Sequence, residues 1–209
     1  MRLTGLPVKD YVQRVADGSP TPGGGSVCAL AGSLSAALCL MVAHLTLGKE
    51  KYRNVWAEMR ELSRSAGNLV SHLLELAERD AGAYDGVLSA FKLAQESEAQ
   101  KEVRRNSIQA AMKQAALVPM ETLRTVGKLT DFVEKAIEKG NPNCLCDAAV
   151  AVQLIRAAAM GAVYNVRVNL SDITDKDFSS RMQSEMTSLR NSIVQEVGRL
   201  EVRIELLLS

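Results

Sequence analysis

Asp80 interrupts an otherwise greasy stripe. The series Val55, Met59, Leu62, Ala66, Leu69, Leu73, Ala77, Asp80, Tyr84, Val87, Phe91 advances in steps of three and four, which puts every member on one face of a helix. All but Asp80 are apolar or amphipathic. A carboxylate on such a face must be paired, hydrogen-bonded or protonated. Desolvation moves its pKa toward neutrality, where a side chain can take and return a proton. An ion pair with Arg79 or with an Arg from another helix meets the same constraint without chemistry. So does a helix that stops before Asp80 and turns it toward water.

A second group is Pro20-Thr21-Pro22-Gly23-Gly24-Gly25-Ser26. Glycines let a backbone approach a ligand closely, and the free amides that open a helix attract an anion. Ser26 stands where an N-cap should stand. This is not a Walker loop, because Gly48-Lys49 lies well downstream and Glu50 follows it. A plain Gly-rich connector has the same composition. The third group is Asn165 and Asn169, four residues apart on the face that carries Gly161. Buried amides need partners, which either a heterocycle with donors and acceptors or an interhelical amide bond supplies. Lys49, Lys51 and Arg53 follow the uncharged helix. They can meet a polyanionic tail or complement the helix dipole in solvent.

The cysteines Cys28, Cys39, Cys144 and Cys146 are separated by 11, 105 and 2 positions and match no zinc pattern, with only His44 and His72 to complete one. No metal is expected. Reduced, buried thiols in a cytoplasmic protein are the expectation, since the first residues lack the long apolar stretch of a signal peptide. His44 is expected in the core and His72 on the surface.

Positioning these groups requires helices. The period is helical nearly throughout, without the alternation of a strand set. The expected elements are Pro7 to Ala16, an uncharged helix from Ser26, the Asp80 stripe as one or two collinear helices, and a helix starting in the charged stretch Gln95 to Arg105. That last helix passes Pro119, whose ring frees the carbonyl of Ala115. Two more run from about Asp147 to Asn169 and from about Asp175 to Leu208, with Thr174 and Asp177 at capping-box spacing. Residues 1–209 read as a single domain: an elongated all-α bundle of five to six helices. Gly18 to Gly48 holds 31 residues without a formal charge. Its Ala, Gly and Ser content favours a helix buried in a bundle or subunit interface over a membrane span, and small residues at Ala29, Gly32, Ser33, Ala36, Ala37 and Ala43 let neighbours approach closely. A homodimer or larger homo-oligomer is therefore expected. The charge balance of 25 Lys+Arg against 24 Asp+Glu, with 4% aromatic residues, argues against a nucleic-acid partner. A non-catalytic helical oligomerisation protein is the alternative from another class.

Taken in order and spacing, the residues resemble the cyclodeaminase/cyclohydrolase family of tetrahydrofolate enzymes. That family includes the C-terminal domain of formiminotransferase-cyclodeaminase and stand-alone methenyltetrahydrofolate cyclohydrolases. The carriers are Pro20 to Val27, Gly48-Lys49 with Tyr52, Asp80-Ala81 with Tyr84, Gly140-Asn141 with Asp147-Ala148, and Gly161-Ala162 with Asn165-Val166 and Asn169-Leu170. Cys146 stands before Asp147 where the family pattern has Ser, so no hydroxyl role carries over there. The resemblance implies a dimerising all-α bundle with folate in a groove between subunits, and Asp80 as the catalytic residue. The implied folate-binding set is Pro22, Gly23, Gly24, Gly25, Ser26, Lys49, Tyr52, Tyr84, Asp147, Asn165 and Asn169, with Lys49 neutralising a glutamate tail. No cofactor beyond the tetrahydrofolate substrate is implied. The expected activity is 5-formiminotetrahydrofolate cyclodeaminase, with 5,10-methenyltetrahydrofolate cyclohydrolase as the alternative. In the first, N-10 attacks the formimino carbon on N-5 and ammonia leaves. In the second, water adds to the methenyl carbon and the N-5 bond opens. Both pass through a tetrahedral carbon and need one proton removed and one delivered.

Overall fold

Small side chains decide how this bundle packs. Helix α2 (Gly24–Thr46) is flanked by α3 (Trp56–Phe91), α4 (Glu98–Lys139) and α5 (Leu145–Leu170) in a computed structural model that describes residues 2–209. A Cβ on Gly32 would meet Val126 of α4 at 2.9 Å and Leu73 of α3 at 3.3 Å, so only glycine admits both neighbours. Ala29, Ala36 and Ala43 are buried beside it. Three serines of α2 tie it to its neighbours by donating to helix carbonyls: Ser26 to Ala77 at 2.7 Å, Ser33 to Val70 at 3.1 Å and Ser35 to Ala151 at 2.9 Å. A hydroxyl can do this in a dry interior because the acceptor carbonyl retains a second lone pair.

These pairings fix the directions. Partner numbers rise on α2 as they fall on α3, so the two are antiparallel. The same holds for α2 with α5 and for α3 with α4, where Arg79 meets Glu121 at 2.9 Å and Lys139 meets Glu58 at 2.9 Å. The last helix, α6 (Lys176–Leu208), runs parallel to α4 along ion pairs from Arg124–Glu185 to Arg199–Glu134, each at 2.6 Å. Its Met182, Met186, Ile193, Val197, Leu200 and Ile204 face the core. Fully buried Leu73, Leu76, Met120, Leu123, Leu129, Ile155 and Leu200 form the centre, each contributing roughly 1.5–3 kcal/mol by leaving water. The first helix, α1 (Val8–Ala16), buries only Tyr11, and the preceding turn is held by Leu3 and Thr4 amides donating to Glu78 at 3.1 and 2.6 Å. At 42 residues α4 is about 63 Å long, so the bundle is elongated. No strand occurs among the described residues.

Several local expectations change. The N-cap of α2 is Gly23, and Ser26 lies two residues inside the helix. The α6 cap is Asp175, whose side chain accepts from the Phe178 amide at 3.0 Å, because Thr174 is drawn away to Gln109 of α4. The capping box sits instead on α4, where Ser97 and Gln100 satisfy each other's backbone amides. His44 is exposed and 2.9 Å from Ser63 Oγ, since α2 turns that face outward as it ends. Cys39 and Cys144 are buried, Cys28 is half-buried, and Cys146 is exposed on the first turn of α5. Helix α2 and the Pro142–Leu170 segment are long and apolar enough to cross a membrane by length and composition; half of the α2 window is buried within the bundle.

Candidate active site

Antiparallel neighbours bring the start of α2, the later turns of α3, the α4 segment before Pro119 and the end of α5 to one end of the bundle. There the Asp80 stripe leaves the core. Ala77 is fully buried, whereas Tyr84 and Phe91 are 41% and 45% exposed. Between these elements lies a cleft of about 470 Å³ lined by Gly23, Gly24, Gly25, Asp80, Tyr84, Met112, Asn165 and Asn169 among others. Among the described residues, the ionisable groups lining it are Asp80, Tyr84 and Asp172, and no Lys, Arg or His contributes.

Asp80 has no ion-pair partner among the described residues. Arg79 turns to Glu121 instead. The carboxylate lies against the first turn of α2, where Ser26 Oγ donates to Oδ2 at 3.3 Å and the nearby Ser26 amide favours the charged form. The amides of the first helical turn have no partner within their own helix, and Asp80 sets a carboxyl against that turn from a different element. The fit requires glycine, since a Cβ at Gly25 would fall on the Asp80 carboxylate. Burial pushes the Asp80 carboxyl above its ordinary range, and the Ser26 hydroxyl and amide pull part of the way back. Burial, followed by the Asp80 charge, also raises the Cys28 thiol to about 11 and the Tyr11 phenol above its usual value. Both stay protonated at neutral pH. Asp80 is the group here whose titration moves toward the working range.

Across the cleft, Asn165 donates to the Gly161 carbonyl within α5 at 2.9 Å, and Asn169 donates to the Ala115 carbonyl of α4 at 2.7 Å. The latter is the carbonyl that Pro119 leaves without its helical donor. Each amide is thereby oriented with its Oδ1 accepting no hydrogen bond among the described residues, ready for an N–H of a ligand. Gly161 is needed because a Cβ there would overlap Cys28 Sγ. Pro22 is buried behind the glycines. The amides of Gly24 and Gly25, in the first turn of α2, line the cleft where a ligand can approach them.

Lys49, Tyr52 and Asp147 lie elsewhere. They gather at the opposite end of α2, about 34 Å away for a 23-residue helix. Tyr52 donates to Asn141 Oδ1 at 2.9 Å, and the buried Asn141 donates through its amide to Thr46 Oγ1 at 2.8 Å and through Nδ2 to the Leu45 carbonyl at 3.3 Å. Burial, then Asp147, raise the neighbouring Cys144 thiol, and Lys49 opposes them. Helical spacing does not reveal Ala115 as the anchor of Asn169, although Pro119 four residues on marks its carbonyl as free.

A family profile described as formiminotransferase-cyclodeaminase matches residues 7–188. The chain is 34% identical over 197 residues to a methenyltetrahydrofolate cyclohydrolase of Methylorubrum extorquens, covering 94% of this chain and 93% of that protein. It is 31% identical over 202 residues to the formimidoyltransferase-cyclodeaminase of Rattus norvegicus, covering 95% of this chain but 37% of that longer protein. A crystal structure of formiminotetrahydrofolate cyclodeaminase from Thermotoga maritima superposes with a TM-score of 0.88 at 32% identity, covering 98% of both chains.

Proposed function

Because this chain belongs to the formiminotransferase-cyclodeaminase family, we propose that it is a cytoplasmic tetrahydrofolate one-carbon enzyme, converting 5-formiminotetrahydrofolate to 5,10-methenyltetrahydrofolate with release of ammonia. The observation that carries this reading is Asp80: a half-buried carboxyl with no cation beside it among the described residues, raised in pKa, in a cleft walled by oriented amides.

The chemistry asks for what that arrangement offers. The formimino group enters protonated, as –CH=NH2+; N-10 of the folate loses a proton as its electron pair forms a bond to the formimino carbon, and Asp80 accepts that proton. The same proton is delivered to the departing nitrogen as the C–N bond breaks. The carbon becomes a methenyl cation shared by two nitrogens, and a cleft whose charged groups are carboxyls favours that charge. Holding N-10 against the carbon removes the entropy of bringing them together. The free Oδ1 atoms of Asn165 and Asn169 accept from pterin N–H groups, and Tyr84 offers a face for the ring. Neither route changes an oxidation state, so the folate itself is the one organic group the reaction needs.

Water in place of N-10 gives the second reading, hydrolysis of 5,10-methenyltetrahydrofolate to the 10-formyl compound. The full-length likeness to the Methylorubrum extorquens cyclohydrolase favours it. Supplying each substrate to the purified protein separates them: ammonia released from 5-formiminotetrahydrofolate supports the lyase, and loss of methenyl absorbance without ammonia supports the hydrolase. Turnover of neither, with no stoichiometric folate binding, would leave an oligomerisation protein.

A second copy supplies what the cleft lacks. Val27, Leu34 and Leu45 form an uncharged line on α2 that is 38%, 50% and 42% exposed. Two such lines packed antiparallel in a homodimer would set the Lys49, Tyr52 and Asp147 end of one subunit beside the Asp80 cleft of the other. Lys49 would then meet the anionic glutamate tail, for which the described residues lining the cleft include no cation.

A further inference from the structure

The Ser26 hydroxyl has one hydrogen and two acceptors within reach, the Ala77 carbonyl at 2.7 Å and Asp80 Oδ2 at 3.3 Å. Ser26 is fully buried, so no solvent competes for it. An ionised carboxylate is a stronger acceptor than a peptide carbonyl, and a neutral carboxylic acid is a weaker one. Which acceptor holds the hydrogen therefore depends on the charge of Asp80. Resting on the acid–base role given to Asp80 above, we propose that Ser26 is a positioning residue whose hydroxyl turns toward Asp80 when the carboxylate is ionised and back to Ala77 when it is protonated.

The consequence is a carboxyl that can change charge without moving heavy atoms. With Asp80 ionised, Ser26 donates to Oδ2 and leaves Oδ1 to take the proton of the attacking nucleophile. With that proton on Oδ1, the Ser26 hydrogen returns to the Ala77 carbonyl. Departure of the proton to the leaving nitrogen reverses the turn, and Ser26 itself gains and loses nothing. Few other charges bear on the exchange. Tyr11 of α1 and Cys28 of α2 are held protonated beside Asp80, Glu78 of α3 is held by the Leu3 and Thr4 amides, Arg79 of α3 is engaged by Glu121 of α4, Tyr84 of α3 shares the cleft wall, α4 presents Met112 and Ala115, α5 presents Asn165 and Asn169, and Asp172 lies beyond α5 on the cleft wall.

Carbon-13 NMR of aspartate-labelled protein tests this without any substrate, with the Asp80 resonance assigned by its loss in Asp80→Asn. Ser26→Ala removes the donor that favours the ionised form, so the Asp80 midpoint should rise by about one pH unit. At pH values below that midpoint, where the ionised fraction limits turnover, the rate should fall up to about tenfold and return to the wild-type value as pH is raised, a recovery that loss of packing alone would not give. Ser26→Thr keeps the hydroxyl and should restore the wild-type midpoint; if it does not fold, the Ser26→Ala titration decides alone. An unchanged or lower midpoint in Ser26→Ala overturns the proposal. A raised midpoint in a protein that processes neither folate substrate would leave Ser26 in this role and remove the enzymatic reading.

Discussion

The two ends of α2 carry the same kinds of residue and do opposite things with them. At its start, Asp80, Asn165 and Asn169 leave polar capacity directed into an open cleft: a carboxyl held partly against its preferred charge state, and two carboxamide oxygens with no acceptor role yet filled. At its end, Tyr52, Asn141 and Thr46 close on one another, and Asn141 uses its amide, its Nδ2 and its Oδ1 at once while only 5% exposed. Gly48, at φ 77°, turns the chain sharply there. Satisfied polar groups stabilise and unsatisfied ones stay available for chemistry. The contrast predicts that substitutions at the first end cost activity, and that those in the closed network at the second cost stability.

Asp80→Asn should show the largest effect. Removing the proton acceptor should lower kcat by roughly 10²–10⁴-fold, while thermal stability holds or rises. The folded protein binds the Asp80 proton more tightly than the unfolded chain does. The wild type therefore loses stability as pH rises from the ordinary carboxyl value of 3.8 through the raised folded value, and loses no more once Asp80 is ionised. Melting curves across pH should show the variant's advantage absent below that interval and full above it. An advantage that grew on acidification would contradict a raised pKa.

Gly25→Ala comes next. Its Cβ falls on the Asp80 carboxylate, so the acid must swing aside while keeping its chemical identity. Misplacement by about 1 Å can cost about 100-fold, and crowding the α2–α3 contact costs about 1–3 kcal/mol. Steady-state kinetics beside urea unfolding would separate the two. Wild-type kcat in this variant would mean that the position of Asp80 against α2 is irrelevant to turnover.

Much of this contrast was legible in the residues and some was not. The stripe carrying Asp80 and the carbonyl freed by Pro119 follow from helical spacing and proline geometry, both of which act within one element. Ser26 failed as the cap because the helix starts two residues earlier, at Gly24, and the serine hydroxyl turns instead to Ala77 and Asp80 of α3, 51 and 54 positions away. The Thr174 cap failed because Gln109 competes for it. The implied folate-binding set split between two ends because spacing along the chain does not reveal which polar groups will use one another up. Asn141, which consumes Tyr52, was visible only as part of a Gly-Asn pair before a proline.

At the closed end, Asn141→Ala should cost about 2–3 kcal/mol of unfolding free energy, since it strands the Tyr52 hydroxyl and the Asn143 amide and removes the donor to Leu45. The pH profile of kcat should keep its Asp80 limb. A shifted limb would show that the two ends communicate through α2, and the separation drawn between them would have to be abandoned.

Lys49 gives the smallest and sharpest test, because it sits at the closed end yet is exposed and takes no part in the network. If an antiparallel dimer carries Lys49 of the partner subunit to the cleft, its ammonium meets an anionic tail in solvent, an interaction worth about 0.2–1 kcal/mol. Lys49→Ala should then raise KM for a polyglutamylated folate about two- to fivefold with kcat unchanged, the mark of binding lost equally from ground and transition states. The increase should shrink for a monoglutamate and at high salt. Equal KM values for both folates in wild type and variant would confine the site to one subunit and return Lys49 to the role of a solvated cation at the end of a helix.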